Sequence, residues 1–421
     1  MTKLAIIGTG IAGLGCAYFL HPHYDLSLYE KNDYAGGHTN TITVNEGNIA
    51  VPIDTGFMVY NEVTYPNLTR LFRELNVAVK PTSMSFSVQH LSSGLEFCGT
   101  SLNHLFAQRR NLFSPRFWRM IRQINRFNEE AVAALNQSEY AAMNVGDYVR
   151  TRKYGDDFLH LYLVPMSAAV WSTPPDLMLE FPAMTLLRFF HNHGFLGLHT
   201  QHPWLTVVNG AKSYVQKITA PFRDRLKLQS GAAKVVREGG KVKIISRDGR
   251  SETYDKVIFA CHADEALQLL SDADAQERAV LGEFKYQPNI ATLHTDASVM
   301  PKTKMCWASW NYRIDKNADG GVSPSTIYWM NSLQGVSQKQ NYFVSINGAE
   351  KIHPDRVLKR ISYDHPVFSL GAIRAQSELP RLNQRMSNTF FCGSYFRYGF
   401  HEDAFTSSLD LSRLLAQGVW S

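Results

Sequence analysis

The chain has 421 residues, 44% of them hydrophobic, and a formal net charge of +6 at pH 7. That length suits roughly two or three domains of about 150 residues. Its five cysteines are widely spaced and include no CxxC pair, so they indicate neither a disulfide framework nor a zinc site and favour a reducing, cytoplasmic compartment. The modest charge, without a recognisable nucleic-acid-binding module, argues against a nucleic-acid partner. No apolar run approaches the ~20 residues needed to cross a bilayer.

The first predicted element is a strand over residues 4–7, which leads into the glycine-rich run GTGIAG at residues 8–13. Gly8 permits a tight turn into a helix, Gly10 lets a pyrophosphate approach the backbone, and Gly13 allows close packing of helix and sheet. A second strand-like run, 26–29, ends at Glu30, an acid suited to ribose hydroxyls. Strand, helix and acid supply the context that the motif requires, so the sequence predicts dinucleotide binding.

Later glycines favour a flavin dinucleotide over a nicotinamide one. Gly36 and Gly37 follow Glu30 closely, and Gly56 and Phe57 come soon after. A flavin dinucleotide lying along the sheet needs close backbone approach over a longer track, which these glycines offer.

Three further elements are predicted to complete the nucleotide domain. Residues 233–236 and 241–245 flank a glycine pair and predict a hairpin, and residues 254–260 predict a returning strand. A last strand over 388–394 precedes a helical pattern that extends to Leu415. The amides of that helix N-terminus would face the electron-rich edge of a reduced flavin.

The middle of the chain is expected to be helical from about 80 to 195, followed by strands near 326–330 and 342–346. Ser114 and Pro115 predict the start of one helix there. The segment 109–127 is rich in arginine, with apolar residues 117, 120, 121, 124 and 127 on one helical face. A basic amphipathic helix of this kind is typical of binding to an anionic membrane surface. An ordinary helix with an apolar face toward the core and a basic face toward solvent explains the pattern equally well.

A histidine-containing apolar region follows at 181–204. We expect no metal there, because no carboxylate joins His191, His193, His199 and His202 at ligand spacing. The region is expected either to line a hydrophobic substrate channel or to pack in the core.

Together these motifs resemble the flavin-dependent amine oxidase superfamily, over the whole chain. Residues 162–172, 328–331 and 398–403 are similar to a bacterial branch of NAD/FAD-binding proteins often encoded beside cyclopropane fatty acid synthases. The resemblance implies an α/β fold with a Rossmann-like FAD-binding domain (1–75, 205–275 and 385–421) and a discontinuous α+β substrate domain (76–204 and 276–384). It also implies non-covalent FAD, because no counterpart is found to the cysteine that tethers flavin in monoamine oxidases.

The resemblance assigns cofactor contacts by position. The glycines of the first motif would meet the pyrophosphate, Glu30 the ribose, and Val235 or Val236 the adenine, while Gly56 and Phe57 would border the flavin ring. The full expected set is Gly8, Gly10, Ile11, Ala12, Gly13, Glu30, Lys31, Gly36, Gly37, His38, Gly56, Phe57, Val59, Val236, Gly393, Asp403 and Ala404. Superfamily members commonly carry Arg after the second glycine pair and an acid after the late glycine, where this chain has His38 and Ser394.

The expected activity is oxidation or desaturation of an apolar substrate by hydride transfer to flavin N5, with a methylated fatty acyl chain of a membrane phospholipid as the candidate. His401 and Glu402 are the candidate catalytic residues, with His401 beside the ring and titrating near neutral pH. The alternative is that both residues only anchor the flavin or cap the last helix. Two other functions stay open: an oxidase of small amines, and a non-catalytic flavoprotein partner of a lipid methyltransferase. The expected location is cytoplasmic, peripheral on the inner face of the membrane.

Overall fold

The computed structural model describes residues 1–197, 200–316, 322–385 and 388–420. Its strands are β1 (Lys3–Ile7), β2 (Asp25–Tyr29), β3 (Thr41–Glu46), β4 (Ile49–Asp54), β5 (Val79–Thr82), β6 (Phe86–His90), β7 (Leu95–Cys98), β8 (Trp204–Val207), β9 (Leu226–Lys227), β10 (Ala232–Glu238), β11 (Lys241–Ser246), β12 (Ser251–Tyr254), β13 (Lys256–Phe259), β14 (Lys285–His294), β15 (Trp310–Lys316), β16 (Val322–Trp329), β17 (Phe343–Ile346), β18 (Val357–Val367) and β19 (Thr389–Phe391). Its α-helices are α1 (Ile11–Leu20), α2 (Pro66–Glu74), α3 (Leu102–Leu105), α4 (Pro115–Ala134), α5 (Val145–Thr151), α6 (Asp156–Phe158), α7 (Val164–Trp171), α8 (Pro175–Leu179), α9 (Ala183–Asn192), α10 (Lys212–Thr219), α11 (Ala263–Leu269), α12 (Ala275–Leu281), α13 (Met330–Leu333), α14 (Leu370–Gln376), α15 (Leu379–Arg385) and α16 (His401–Leu415).

A parallel sheet forms the nucleotide-binding half, in the order β19-β13-β1-β2-β9. Alternate residues of β1 point to opposite faces of this sheet. Leu4 and Ile6 pack with α1, whereas Ala5 and Ile7 pack with the antiparallel sheet β10-β11-β12. Because both faces are covered, the central strand β1 is a continuous apolar run from Leu4 to Ile7, as expected for a buried parallel strand. The predicted α/β architecture is therefore present.

The predicted hairpin is also confirmed. Strands β10 and β11 pair with Glu238 opposite Lys241. Between them, Gly239 and Gly240 have φ values of +56° and +74°. Positive φ at both central residues suits the right-handed twist of the strands and favours glycine.

A mixed sheet forms the other half, in the order β18-β14-β17-β16-β15-β6-β7. The expectation of helix from residue 80 is wrong, because β5, β6 and β7 precede the first helix of this region, α3. β5 pairs with β8 in the antiparallel sense, β6 pairs with β15 in parallel, and β6 and β7 form a local antiparallel hairpin. β8 and β15 lie more than a hundred residues away in the chain, so local periodicity gave no sign of these two pairings.

Helix α4 begins where the sequence predicts. The Ser114 side chain accepts a hydrogen bond from the Phe117 N–H, 3.2 Å away. Phe117, Met120 and Phe127 are buried in the core of the helical region. The apolar face of α4 therefore packs toward the protein core. In the described ranges no helix combines the length and apolar character needed to cross a bilayer.

Candidate functional site

A cavity of about 1260 Å³ opens where the strands of the parallel sheet end. Gly8 follows β1, Glu30 follows β2, Ala260 follows β13 and Gly393 lies beyond β19, and all four line it. Pockets for small molecules are typically about 300–1,000 Å³. The volume is large enough for an extended dinucleotide together with a substrate.

The first glycine motif divides into two structural roles. Gly8 has φ +101° and donates its N–H to the Tyr29 carbonyl, 2.9 Å away. A Cβ on Gly13 would lie 2.0 Å from the Gly8 carbonyl oxygen, whereas a Cβ on Gly10 would meet nothing within 4 Å. The turn thus requires glycine at position 8, and close packing requires it at position 13. Gly13 does not line the cavity. Gly10, with Ile11 and Ala12, leaves open space at the N-terminus of α1, where a diphosphate would bind.

Glu30 lies buried at the cavity wall. Its Oε2 accepts hydrogen bonds from the N–H of Thr9 at 3.2 Å and the hydroxyl of Thr9 at 2.5 Å. Its Oε1 accepts from the Asn32 N–H at 2.9 Å. The carboxylate is therefore fixed beside the glycine turn, in the position suited to ribose hydroxyls. Lys31, also in the lining, pairs with Glu265 at 2.7 Å.

Val236 lies outside the cavity lining. The adjacent part of the wall is formed by Gly231, Ala232, Ala233 and Arg247 instead. β10 starts at Ala232, so the cavity meets only the beginning of this strand. The backbone that this part of the wall offers is that of Ala232 and Ala233.

The second glycine pair packs on the first. Gly36 donates its N–H to the Thr9 carbonyl at 2.9 Å, and a Cβ on Gly37 would lie 3.1 Å from the Gly10 Cα. His38 follows, and its ring stacks on Tyr363 at 4.7 Å between centroids, with His365 at 5.4 Å. Burial lowers the pKa of His38 well below its ordinary value. Its buried Nε2 has no hydrogen-bond partner.

Two other histidines of this wall were not found from the sequence. His262 follows β13, with its ring 6.3 Å from His38, and His365 lies on β18. Burial also lowers the pKa of His262, and it lowers the pKa of His365 to about 4. Neither belongs to a motif, since the fold brings them to His38 from distant strands. Neutral imidazoles near the glycine turn can donate N–H groups to a diphosphate or become charged beside it.

Phe57 and His401 form the next part of the wall. Glycine is required at position 56 because a Cβ there would lie 2.2 Å from the His38 carbonyl oxygen. The Phe57 N–H donates to that same oxygen at 2.8 Å, and the Phe57 ring stacks on His401 at 3.9 Å. Burial lowers the pKa of His401 to about 3, so the expectation that it titrates near neutral pH does not hold in the structure. Val59 lies on the same wall.

Glu402 and Asp403 point away from the cavity. Glu402 accepts hydrogen bonds from the N–H groups of Asn67 at 3.0 Å and Leu68 at 2.9 Å, at the start of α2. Asp403 accepts from the Phe400 N–H at 2.9 Å, and burial raises its pKa to about 7. The structure thus supports a capping role for both residues, while Gly393 and Ala404 do line the cavity. A catalytic role for Glu402 finds no support in this placement.

An aromatic chamber forms the rest of the cavity. Trp171, Phe189 and Phe400 lie together, with Phe189 4.7 Å from Trp171 and 4.8 Å from Phe400 between ring centroids. We define the chamber by its lining residues Tyr65, Met84, Val170, Trp171, Phe189, Phe195, Trp204, Trp310, Tyr328 and Phe400. The carboxylates among the described lining residues are Glu30, Asp33, Glu265 and Asp364, which belong to the dinucleotide part. Of the 181–204 region, Phe189, Phe195 and Trp204 line this cavity, whereas Phe181 and Phe190 are buried in the core.

The nearby histidines form no metal site in the part of the chain that the structure describes. His193 is buried, with its ring 3.8 Å from that of Phe189, and burial lowers its pKa to about 4. His202 bonds to the carbonyl of Asn192. His199 lies outside the described residues.

Comparison with known protein families gives a match over residues 11–327 to the family of flavin containing amine oxidoreductases. The chain belongs to this family. As a flavin containing amine oxidoreductase it is an FAD-dependent oxidoreductase, and the glycine turn, Glu30 and the orphaned Nε2 of His38 fit that cofactor. Of the five cysteines, all of which are described, only Cys261 lines the cavity, at the end of β13 rather than beside Phe57. This placement agrees with non-covalent FAD.

Solved structures share the fold across nearly the whole chain. A CLA-producing fatty acid isomerase from P. acnes has a TM-score of 0.72 at 14% identity, with 98% of each chain covered. Cyclohexylamine oxidase from Brevibacterium oxydans IH-35A has a TM-score of 0.68 at 15% identity, covering 98% of this chain and 99% of that one. A putative protoporphyrinogen oxidase from Exiguobacterium sp. 255-15 has a TM-score of 0.67 at 14% identity, with 98% of each chain covered. Comparison with curated proteins gave no significant match.

Proposed function

We propose that this flavoenzyme oxidises or desaturates a long apolar substrate, with a fatty acyl chain of a membrane phospholipid, methylated or unbranched, as the candidate. The observation that supports this most directly is the aromatic chamber next to Phe57 and His401, lined by apolar and aromatic side chains. Each CH₂ group buried there would contribute about 0.8 kcal/mol. An acyl chain could therefore be held by many small contacts without any polar anchor.

The distribution of charge argues in the same direction. The chamber has no carboxylate among its described lining residues, so an ammonium group would lose water without gaining an ion pair. The aromatic faces of Trp171, Phe189 and Phe400 could still attract a cation. Oxidation of a small amine is for that reason the second candidate, and the structural similarity to cyclohexylamine oxidase supports it. The similarity to the fatty acid isomerase supports the first candidate.

The chemistry requires a dry, fixed geometry. Bound FAD would accept both hydrogens removed from adjacent carbons, one as a hydride and one as a proton, and a carbon–carbon double bond would be left in the chain. The apolar walls exclude water from the reacting C–H bond. Phe57, stacked on the neutral His401, lines the cavity between the dinucleotide part and the chamber. The task of these residues is to orient the chain and to keep solvent out.

The test is product analysis with FAD-loaded protein. Phospholipid vesicles with straight and methyl-branched acyl chains are incubated with the enzyme, extracted and examined by mass spectrometry. We expect acyl chains that have lost two hydrogen atoms. Phe195→Asp, which places a carboxylate in the chamber, should lower product formation at least tenfold while FAD is retained, because a charged group in an apolar pocket repels the chain. Phe195→Leu is the matched control and should retain most activity.

Two results would contradict the proposal. Peroxide release with small amines and no lipid product would establish the amine oxidase. Flavin that neither substrate class reduces, in a protein that co-purifies with a lipid methyltransferase, would favour the non-catalytic partner.

A further inference from the structure

We propose that an exposed basic and apolar tip at the start of α4 docks onto an anionic lipid bilayer. The tip consists of Leu102, Arg109, Arg110, Leu112, Phe113, Trp118, Arg119 and Arg122. This inference concerns where the protein resides and does not depend on the chemistry of the chamber. Its failure would leave the proposed activity untouched.

The apolar part of the tip is unusually exposed. Phe113 is 86% exposed and Leu102 is 71% exposed, while Leu112 and Trp118 are each 42% exposed. Exposing apolar side chains of this size to water is unfavourable unless another surface covers them. A cluster of such exposed side chains marks an interaction site. The proposed cover is the boundary between lipid headgroups and acyl chains, where Trp, Phe and Leu are stable.

The tip is held rigidly on the protein core. The Trp118 indole Nε1 donates to the Leu112 carbonyl at 2.9 Å, which fixes the ring beside the 3-10 helix Arg109–Phe113. The opposite side of Trp118 lies 5.0 Å from Phe106, between ring centroids, and Phe106 is buried. Docking therefore requires no rearrangement of α4, whose inner face stays buried in the core.

Cations surround these apolar groups. Arg109 donates to the Phe106 carbonyl at 2.9 Å and to the Asn103 side chain at 2.6 Å, which places it next to Leu102. Arg110 donates to the Gly94 carbonyl at 2.6 Å, so both guanidinium groups are held in place. Arg119 and Arg122 are exposed on α4, and Trp118 and Arg122 lie four residues apart on one side of the helix.

Few acids offset this charge. The sequence contains no Asp or Glu between Glu96 and Glu129. Asp157 approaches the start of α4; it pairs with Arg116 at 2.5 Å and also attracts Arg119 over a longer distance. Arg116 is left out of the tip for that reason. The remaining arginines complement the negative surface of a bilayer rich in anionic lipid.

A bilayer would bind both the apolar side chains and the arginines of the tip. Arginines extend their aliphatic stems along apolar groups while the charged head stays at the phosphates, so cations at the border of an apolar insertion are favourable. A partner recognised by charge alone would gain nothing from Phe113 and Leu102. The test therefore separates the apolar contribution from the charge.

The experiment is sedimentation of FAD-loaded protein with sucrose-filled vesicles, made of phosphatidylcholine alone or of equal parts phosphatidylcholine and phosphatidylglycerol. We expect binding to the anionic vesicles at least tenfold stronger than to the neutral ones. Raising the salt from about 0.1 M to about 1 M, which shortens the Debye length from ~10 Å to ~3 Å, should weaken it strongly. Arg119→Glu with Arg122→Glu, and separately Phe113→Ser, should each lower the vesicle partition coefficient about tenfold or more.

Matched controls replace residues elsewhere on the surface. Arg278→Glu with Arg374→Glu reverses two exposed helical arginines on α12 and α14, and Val63→Ser replaces an apolar side chain that is 61% exposed. These controls should bind like the unmodified protein, and all variants should retain their FAD and melting temperature. Equal binding to both vesicle types, loss of binding in the controls, or an effect of charge reversal with none from Phe113→Ser would overturn the proposal.

Discussion

The hydroxyl oxygen of Tyr214 lies 2.5 Å from Nε2 of His401. Thr39 extends the contact, with its hydroxyl 2.7 Å from that of Tyr214. Because burial lowers the pKa of His401 to about 3, the imidazole is neutral across the neutral range. The histidine is therefore suited to hold the wall beside Phe57 and poorly suited to take up a proton.

His401→Gln should consequently have a modest effect. Glutamine can still hydrogen-bond to Tyr214, so we expect flavin reduction to slow less than about tenfold, whereas loss of a general base typically costs about 10²–10⁴-fold. Anaerobic stopped-flow measurements from pH 5.5 to 8, approximately the range in which an unshifted histidine titrates, should show no inflection that the variant removes. An inflection near the ordinary histidine pKa that disappears in His401→Gln would refute this role. The flavin absorbance of each sample controls for cofactor loss.

Glu402 is predicted to act on stability. Glu402→Ala removes the acceptor for the N–H groups of Asn67 and Leu68, which should cost about 1–3 kcal/mol of unfolding free energy. Glu402→Gln keeps one acceptor oxygen and should cost less. Urea unfolding measures both. A Glu402→Gln variant that is as stable as the unmodified protein, but whose flavin is reduced a hundredfold more slowly, would show that Glu402 has a catalytic role.

The glycine motif allows folding and cofactor binding to be separated. Gly10→Ala adds a Cβ that meets no protein atom within 4 Å, at a residue with φ −64°. The apoprotein should stay within about 0.5 kcal/mol of the unmodified stability, while FAD binding should weaken at least tenfold because the methyl group occupies the space of the diphosphate.

Gly13→Ala is the matched control. Its Cβ would lie 2.0 Å from the Gly8 carbonyl oxygen, so this variant should lose stability first. Thermal melts of the apoproteins and fluorescence titration with FAD give the two quantities. Unchanged FAD affinity in Gly10→Ala would show that the diphosphate lies elsewhere.

The position of His38 predicts that FAD affinity depends on pH. Burial keeps the pKa of His38, His262 and His365 low in the free protein, whereas a nearby diphosphate favours the protonated ring. Binding therefore takes up protons, and affinity should rise as the pH falls from about 8 to about 6, by at most tenfold per pH unit for each proton. Other charged or titratable groups near His38 and His262 are Lys31, Asp264, Glu265, Asp364 and His401.

Two substitutions test this linkage. His38→Gln should flatten the pH dependence and weaken binding, and His38→Arg, with a permanent charge, should bind tightly at every pH. Titrations in one buffer series at constant ionic strength provide the measurement. An unchanged slope in both variants would exclude His38 from the phosphate contacts.

Local patterns were sufficient for several parts of the fold. The strand, glycine turn and helix at residues 3–20, the hairpin at Gly239 and Gly240, and the Ser114 cap each depend on neighbours in the chain, and each was predicted. The wrong expectation of helix from residue 80 concerns strands with distant partners. β5 pairs with β8 and β6 pairs with β15, each more than a hundred residues away, whereas the hairpin of β6 with β7 is local and was missed.

The candidate site shows the same division. Gly10, Glu30 and Phe57 follow from motifs and lie on the cavity wall. His365 comes to the wall only through β18, so no spacing in the sequence could identify it. Glu402, adjacent to a cavity residue, faces the other way because the side chains of consecutive helical residues point about 100° apart.

The most direct test of the central claim is anaerobic reduction of the bound flavin, followed by its visible absorbance. Purified FAD-loaded protein is mixed without oxygen with dispersed acyl lipids, and in parallel with a series of small amines. We expect the lipids to bleach the flavin and the amines to do so at least a hundredfold more slowly, because the described lining of the aromatic chamber provides no carboxylate for an ammonium group. Rapid bleaching by amines, with the lipids inert, would contradict it.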